Sequence, residues 1–562
     1  MHLKSQFNTW CVWALAFSLT QIPICLAFSR AQQSSAPKRP HFVNVASRSK
    51  FSYITNNSPG ERKYFPQPMC GGVAIFDFDN DGKLDVFFTN GAKLPQMKKT
   101  DPTFYNCLLK QKPDGTFEDV TAKAGLLGEK LGYNFGVAVG DYDNDGYEDL
   151  FLCAAGRNTL YHNNGDGTFT DVTEESGIGT KPPDTLSVAA AWFDYDNDGL
   201  LDLVVSNYTF WTPATDLRCS MDSKDYYCDP RRYKSVPPRL YHNLGHGKFK
   251  DVTEQSGLAK APGKGMGISI ADFNDDGWPD IFVANDTEPN SLFINKHNGT
   301  FEEDGLELGV AYDENAHTGS SMGSDAKDYD NDGKVDIFYN NLKQQVWQLL
   351  RNSSSGFTFL YSSKIQTLSL PYSGWSNGFI DYNNDGWKDI YSANGDVDQV
   401  NETSPQHDTM FENAGGKSFV DVSDEMGKDF LHVGYQRGSA FGDLNNDGSL
   451  DIVVTSLNEP PRILLNSADS GNHWLVLSLT GHKSARDAIG AKIKVTTAAG
   501  RTLYNHVAIS AGFMSSSDKR VHFGLGQETK IASVEIRWPS GIHQVLKNVN
   551  ADQFLNIDEP KN

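Results

Sequence analysis

One nine-residue pattern, D-x-[DN]-x-D-G-x-x-D, recurs seven times in this 562-residue chain. It gathers Asp77, Asp79, Asp81 and Asp85; Asp141, Asp143, Asp145 and Asp149; Asp194, Asp196, Asp198 and Asp202; Asp272, Asn274, Asp276 and Asp280; Asp328, Asp330, Asp332 and Asp336; Asp381, Asn383, Asp385 and Asp389; and Asp443, Asn445, Asp447 and Asp451. Each copy offers a hard cation oxygen ligands at positions one, three, five and nine, a backbone carbonyl at seven, and a glycine at six that lets the chain turn around the ion. Three or four carboxylates held this close repel one another, and a divalent ion offsets that repulsion. Calcium suits so many protein oxygens better than magnesium, which demands octahedral geometry and keeps its waters. The expected cofactor is therefore calcium, about seven ions. Three loops carry Asn274, Asn383 and Asn445 at position three, where one charge fewer weakens affinity without preventing binding.

The loops also account for much of the composition. Formal charge is -21, from 71 acidic against 50 basic residues, and seven divalent ions would cancel two-thirds of it. A nucleic-acid partner bound through a basic surface is excluded by this balance. At the N-terminus Lys4 precedes an apolar run from Trp10 to Phe28, with small residues at Ala27, Ser29 and Ala31. Residues 1–31 read as a secretory signal peptide. Nothing later is apolar enough to span a membrane, so the mature protein is expected to be secreted, periplasmic or at the cell surface. Removing the signal leaves Cys70, Cys107, Cys153, Cys219 and Cys228, an odd number. Cys219 and Cys228 flank a short polar segment, and in an oxidising compartment a local disulfide is expected; zinc is the rival, but no second Cys/His pair stands nearby.

An EF-hand would set its closing Glu at position twelve, between helices. Here the loop closes three residues earlier and lies between strand-like runs, such as GVAVG before Asp141 and LFLCA after Asp149. A strand, a glycine-containing turn and another strand follow, as in LYHNNGDGTFTDVT and LYHNLGHGKFKDVT. Four strands repeated seven times predict an all-β, seven-bladed β-propeller over residues 41–466, an architecture that protects sheet edges by radial repetition. The fifth repeat lacks a clear turn after Asn341. The seventh never produces its F-x-D-V-T strand, whereas HFVNVASRS stands unpaired at 41–49, so that segment is expected to supply the missing outer strand and close the ring. From 472 to 558, alternating runs such as Val534 to Trp538 predict a small β-sandwich-like domain.

GVAVGDYDNDGYEDLF and its siblings resemble the FG-GAP/VCBS repeats of integrin-α-type propellers. NHWLVLSL, ARDAIGAKIKV, VHFGLG, VEIRWPSG and NVNADQFLNI resemble, in that order, the ASPIC/UnbV domain. The combination is similar to the cartilage-acidic-protein family, and this resemblance implies calcium at the seven loops.

In a propeller the acidic loops and tight turns share one face, and the longer connections share the other. The insertions Asn90–Cys107, Asn207–Pro237 and Asn394–Thr409 therefore mark a ligand face. Its candidate contacts are Trp211 and Tyr227, among the aromatics of the longest insertion, and Asn90, Asn207, Asn285, Asn341 and Asn394, which fall at one point of the repeat. Those asparagines serve either as ligand contacts or as residues that turn the chain. His162 and His242 share a repeat position and read as scaffold. No H-E-x-x-H or phosphate loop is present. The expected function is an exported calcium-binding module for an extracellular protein or glycan; the alternative is an enzyme of lyase, hydrolase or cyclase type working in the channel on the face opposite the calcium loops.

Overall fold

The computed structural model describes residues 39–179, 184–221, 223–397 and 404–561; the expected signal peptide, 1–31, lies outside them. Seven four-stranded antiparallel sheets follow one another as the blades of a propeller. The second blade is typical, with strands Asn134–Gly140, Asp149–Ala154, Thr159–Asn163 and Phe169–Asp171. Its acidic loop joins the first two strands and its tight turn joins the last two. The second strand of each blade is sandwiched between neighbouring blades and is accordingly buried and rich in Val, Ile, Leu and Phe, as in DVFF, DLFLCA and DIFVAN.

The fifth blade is complete, against the expectation of an irregular one. Gln348–Ser353 and Gly356–Phe359 pair across a two-residue turn of Ser354 and Ser355. The turn was illegible because serines replace its glycines. In the seventh blade Phe42–Asn44 lies antiparallel to Arg462–Asn466, with Phe42 opposite Asn466 and Val43 opposite Leu465. The chain thus closes its own ring with its first described strand.

A polar latch runs between blades. The asparagine ending the third strand of a blade donates its amide to the carbonyl at loop position two of the preceding blade: Asn163 to Phe78, Asn243 to Tyr142, Asn295 to Tyr195, Asn352 to Phe273, Asn413 to Tyr329 and Asn466 to Tyr382. Gln111 completes the circle by bonding the Leu444 carbonyl. These amides are buried, and each is held by a specific partner, as buried polar groups must be.

After the propeller, two sheets form the C-terminal domain, in the orders Val521–Gly526, His473–Thr480, Gln553–Asp558 and Thr502–His506, Lys492–Thr497, Lys530–Arg537, His543–Asn550. Leu475, Leu477, Ile493, Val495, Val534 and Ile536 fill the space between them. The domain lies on the acidic-loop face. From it the segment 507–518 enters the central channel, where Gly512 exchanges backbone hydrogen bonds with Ser324 and Ser516 bonds the Val73 carbonyl. The innermost strands accept this segment by being bare. A Cβ on Gly136 would fall 2.4 Å from the Val188 oxygen and 3.1 Å from Met514 Cα, and one on Gly323 would fall 2.4 Å from the Trp375 oxygen.

Candidate functional site

Each acidic loop is shaped by its own carboxylates. In the first, Asp77 accepts the N–H of Asp81 at 3.0 Å on one oxygen and that of Gly82 at 2.8 Å on the other. The same pair of bonds is made by Asp141, Asp194, Asp272, Asp328, Asp381 and Asp443. Position four sits at positive φ in every loop, from Asn446 at 55° to Asn144 at 61°. Asparagine tolerates that conformation better than most residues, which explains its prevalence there. Its amide also reaches the next loop: Asn80 to Gly146, Asn144 to Gly199, Asn331 to Gly386, Asn384 to Gly448 and Asn446 to Gly82. Five of the seven junctions between neighbouring loops are therefore bridged, a link the repeat pattern hinted at by its near-constant asparagine.

The closing aspartate is buried and tied in twice. Asp85 accepts the N–H of Phe78 on one oxygen and that of Gln111 on the other, and Asp149, Asp202, Asp280, Asp336, Asp389 and Asp451 repeat this in their own blades. Burial pushes the carboxyls of Asp85, Asp141 and Asp280 up to about 8. An anion is expensive there without a counter-charge.

Do these loops fit a divalent ion? Oxygens of Asp77, Asp79 and Asp85 converge within 4.8 Å of one another, as do those of Asp141, Asp143 and Asp149 and of Asp194, Asp196 and Asp198. One oxygen each of Asp79, Asp196 and Asp330, all at position three, is buried with no hydrogen-bond partner. A cluster of hard oxygen donors with an orphaned carboxylate oxygen fits a hard cation. In the Asn loops the amides of Asn274, Asn383 and Asn445 instead turn toward the position-five carboxylates of Asp276, Asp385 and Asp447.

The third strand of a blade aims a side chain at its loop, and this was missed in the sequence. Lys110 pairs with Asp79 and Asp81. Arg351 spans Asp330 at 2.6 Å and Asp332 at 2.8 Å. His162 and His242, expected to be plain scaffold, stand 3.2 and 3.1 Å from Asp149 and Asp202. The Asp149 carboxylate beside it pushes His162 up to about 8. The repeat alignment of Lys110, His162, His242 and Arg351 was the available signal. From the C-terminal domain, Lys492 meets Asp272 at 2.8 Å and Asp275 at 2.6 Å, and Arg501 donates to the Asp385 carbonyl.

On the opposite face, Asn90, Asn207, Asn285, Asn341 and Asn394 are all buried. Their amides hold the connecting chain: Asn90 bonds the carbonyls of Ile54, Thr103 and Tyr105, Asn207 that of Pro237, Asn285 that of Pro289, Asn341 that of Val346 and Asn394 that of His407. The repeated position falls near the end of the second strand, where the departing chain has carbonyls to satisfy. Trp211 is likewise buried. It is 2% exposed, with its indole N–H on Asp216 at 2.7 Å. The long insertion has folded down on the propeller, because its aromatics lose more water contact by packing together than by standing out. Cys219 and Cys228 are joined by a disulfide.

Tyr227 does line a cavity. Tyr208, Phe65, Met266, Met322 and Trp375 share a cavity of about 330 Å³ with it, together with Asp286, Asp229, Arg231 and Asp396. Behind its floor Phe513, from the inserted segment, packs on Trp375 with ring centres 5.2 Å apart. The channel that the enzymatic alternative would use is thus occupied by the chain itself, and the cavity sits at its mouth. Among the described residues no helix is long and apolar enough to cross a membrane.

Cartilage acidic protein 1 of Homo sapiens is 24% identical over 532 residues, covering 91% of this chain and 75% of its own length. That of Xenopus tropicalis is 26% identical over 499 residues, covering 85% and 71%. Among solved structures, the BP39L lectin of Burkholderia pseudomallei aligns with a TM-score of 0.42 at 8% identity over 71% of this chain and 96% of its own. An Agrocybe aegerita lectin specific for non-reducing terminal N-acetylglucosamine aligns with a TM-score of 0.36 at 14% identity over 71% and 92%. The FG-GAP-like repeat model matches residues 77–152, 141–205, 232–283, 272–339 and 328–392, just over half of the chain, and the ASPIC and UnbV model matches 481–562. The chain belongs to the FG-GAP-like repeat family and carries an ASPIC and UnbV domain at its C-terminal end.

Proposed function

We propose that this protein is an exported, calcium-binding propeller that acts as a binding or adhesion module, taking an extracellular protein or glycan on the face away from its acidic loops. The observation that carries this reading is the difference between the two faces. The acidic-loop face is covered by the C-terminal domain, whose Lys492 and Arg501 engage the fourth and sixth loops. The other face bears the long connections and the cavity lined by Tyr208, Tyr227 and Trp375, an apolar hollow with a few polar groups of the kind that holds ligands. Calcium would be held by the aspartates and asparagines of positions one, three, five and nine, and its part would be structural, supplying the counter-charge that lets buried carboxylates stay ionised beside one another. Export is supported by the signal-like segment 1–31 and by the Cys219–Cys228 pair.

The test uses the mature full-length protein. Capture from an extracellular extract, or binding to a glycan array, should occur with wild type and be weakened at least tenfold by Tyr227→Ala with no change in melting temperature beyond a few degrees. Melting in calcium should exceed melting in chelator, since each site at 100-fold saturation adds about 2.7 kcal/mol. Equal melting temperatures would refute the calcium reading, and equal capture by the variant would move binding off this face.

A further inference from the structure

Asp286 lies just beyond the strand Asp280–Asn285, at the wall of the cavity on the open face. It is 4% exposed. One carboxylate oxygen accepts the phenol of Tyr208 at 2.5 Å, and the other has no hydrogen-bond partner. Buried polar atoms are nearly always satisfied, so an orphaned carboxylate oxygen beside a cavity points to a group that is brought in.

The cations nearby are committed elsewhere. Lys264 donates to Glu288 at 2.6 Å and to Ser235. Arg231 forks onto Asp229 at 3.0 and 2.7 Å. Arg437 lies flat on Trp375 at 3.8 Å and gives its N–H groups to the carbonyls of Pro68, Gln436, Gly395 and Asp396. Lys343 pairs with Asp396. Among the described residues Asp286 is therefore left with the Tyr208 phenol as its one side-chain hydrogen-bond partner, and much of the wall around it is aromatic or thioether: Tyr208, Tyr227, Trp375, Met266 and Met322.

We propose that this cavity binds a small organic ammonium, an amine cation on a compact apolar or aromatic body, with the cation on the free oxygen of Asp286 and the body against Tyr227, Met266 and Met322. A carboxylate sunk in apolar surroundings is short of a counter-charge, and an ammonium supplies it together with a hydrogen bond. Aromatic rings and methionine sulfur favour the same guest, the first through their negative faces and the second through polarisability. A cavity of about 330 Å³ is at the lower end of small-molecule sites and suits one ring with a short arm. A neutral sugar would leave the negative charge uncompensated, and an anion would be repelled.

This inference rests on the reading that the open face binds ligands, and it adds the charge class. The probes are phenethylammonium and its neutral counterpart 2-phenylethanol, titrated calorimetrically into the mature full-length protein. Phenethylammonium should bind at least tenfold tighter than 2-phenylethanol in wild type. In Asp286→Asn, which keeps shape and the Tyr208 contact, that preference should vanish, with circular dichroism and melting confirming that the variant is folded. Binding of neither probe, equal binding of both, or undiminished preference in the variant would each overturn the proposal. If it is overturned while partner capture still depends on Tyr227, the open face remains a binding surface for another class of ligand; if capture is also indifferent to Tyr227, the underlying reading falls with it.

Discussion

The carbonyl oxygen of Met514, in the C-terminal domain, accepts the backbone N–H of Val137 on the innermost strand of the second blade, at 3.2 Å. The inserted segment is thus bonded into the ring rather than resting on it. Phe513 beside it is fully buried against Trp375. Phe513→Ala should destabilise the protein by about 3–5 kcal/mol, the usual cost of removing a buried aromatic ring. Propeller and C-terminal domain should still unfold in one transition in calorimetry. A separate, unshifted propeller transition would mean that the plug is dispensable.

Ring closure makes a second prediction. Phe42 is 1% exposed, with its ring 5.6 Å from that of Phe430, and its strand is the outer edge of the seventh blade. Phe42→Ala should lower the denaturant midpoint without changing the slope, by an amount worth about 3 kcal/mol or more. Deleting 41–49 should lower it further. A truncated protein with the wild-type midpoint would show that the ring does not need its closing strand.

Third, the charged side chains beside the loops should compete with calcium. Arg351 occupies Asp330 and Asp332, both candidate ligands of the fifth loop. Because Arg351 is 41% exposed, solvent discounts the pair to well under its apparent Coulomb energy. Arg351→Met should therefore raise calcium affinity at that loop by a few-fold, up to about tenfold, in a calcium titration. Weaker binding in the variant would mean that the guanidinium orders the loop instead of blocking it.

The blade number, the acidic loops, the closing strand and the disulfide were legible because each rests on a local pattern: a repeat, a missing strand, a pair of cysteines. What the sequence hid depends on distant chain. Asn163 and Phe78 are 85 residues apart, and nothing near either says that one latches the other. The segment 507–518 reads as an ordinary loop, since the fact that matters is the glycine-lined channel it enters. The five asparagines near the end of the second strand and Trp211 were ambiguous for another reason. Repetition marks a shared environment, and a shared environment is as easily a carbonyl-capping corner as a binding site. Asp286 had no signal at all, being a single acid after a strand.

Fourth, the Cys219–Cys228 bridge should hold the loop that carries Tyr227. The two cysteines are nine residues apart, and cross-linking a loop of that size removes roughly 2–3 kcal/mol of unfolded-chain entropy on the simple model. Replacing both by Ser should lower the melting temperature modestly and increase proteolysis within 210–237. An unchanged cleavage pattern would show that packing of Trp211 and Tyr233 suffices to order the loop.

Last, Asp286 should cost the free protein stability in a pH-dependent way. Burial pushes its carboxyl up to about 6, against about 3.9 in an unfolded chain. Between those values the folded state holds a proton that the unfolded state has lost, so folding stability falls as pH rises through this window. Below about pH 4 both states are protonated and the cost is absent; above about pH 6 it is present in full. Tyr208 softens the cost by hydrogen bonding and Lys264 by its charge, and Asp229, neutralised by Arg231, adds little to it. Asp286→Asn removes the titrating group and keeps an acceptor for Tyr208. In ligand-free protein the variant should therefore be more stable than wild type by on the order of 1–3 kcal/mol at pH 7.5, and equally stable at pH 4. Urea melts of both proteins at the two pH values measure the difference directly. A variant less stable at pH 7.5 would mean that the carboxylate is compensated inside the fold, and its free oxygen would then have no need of a cation from outside.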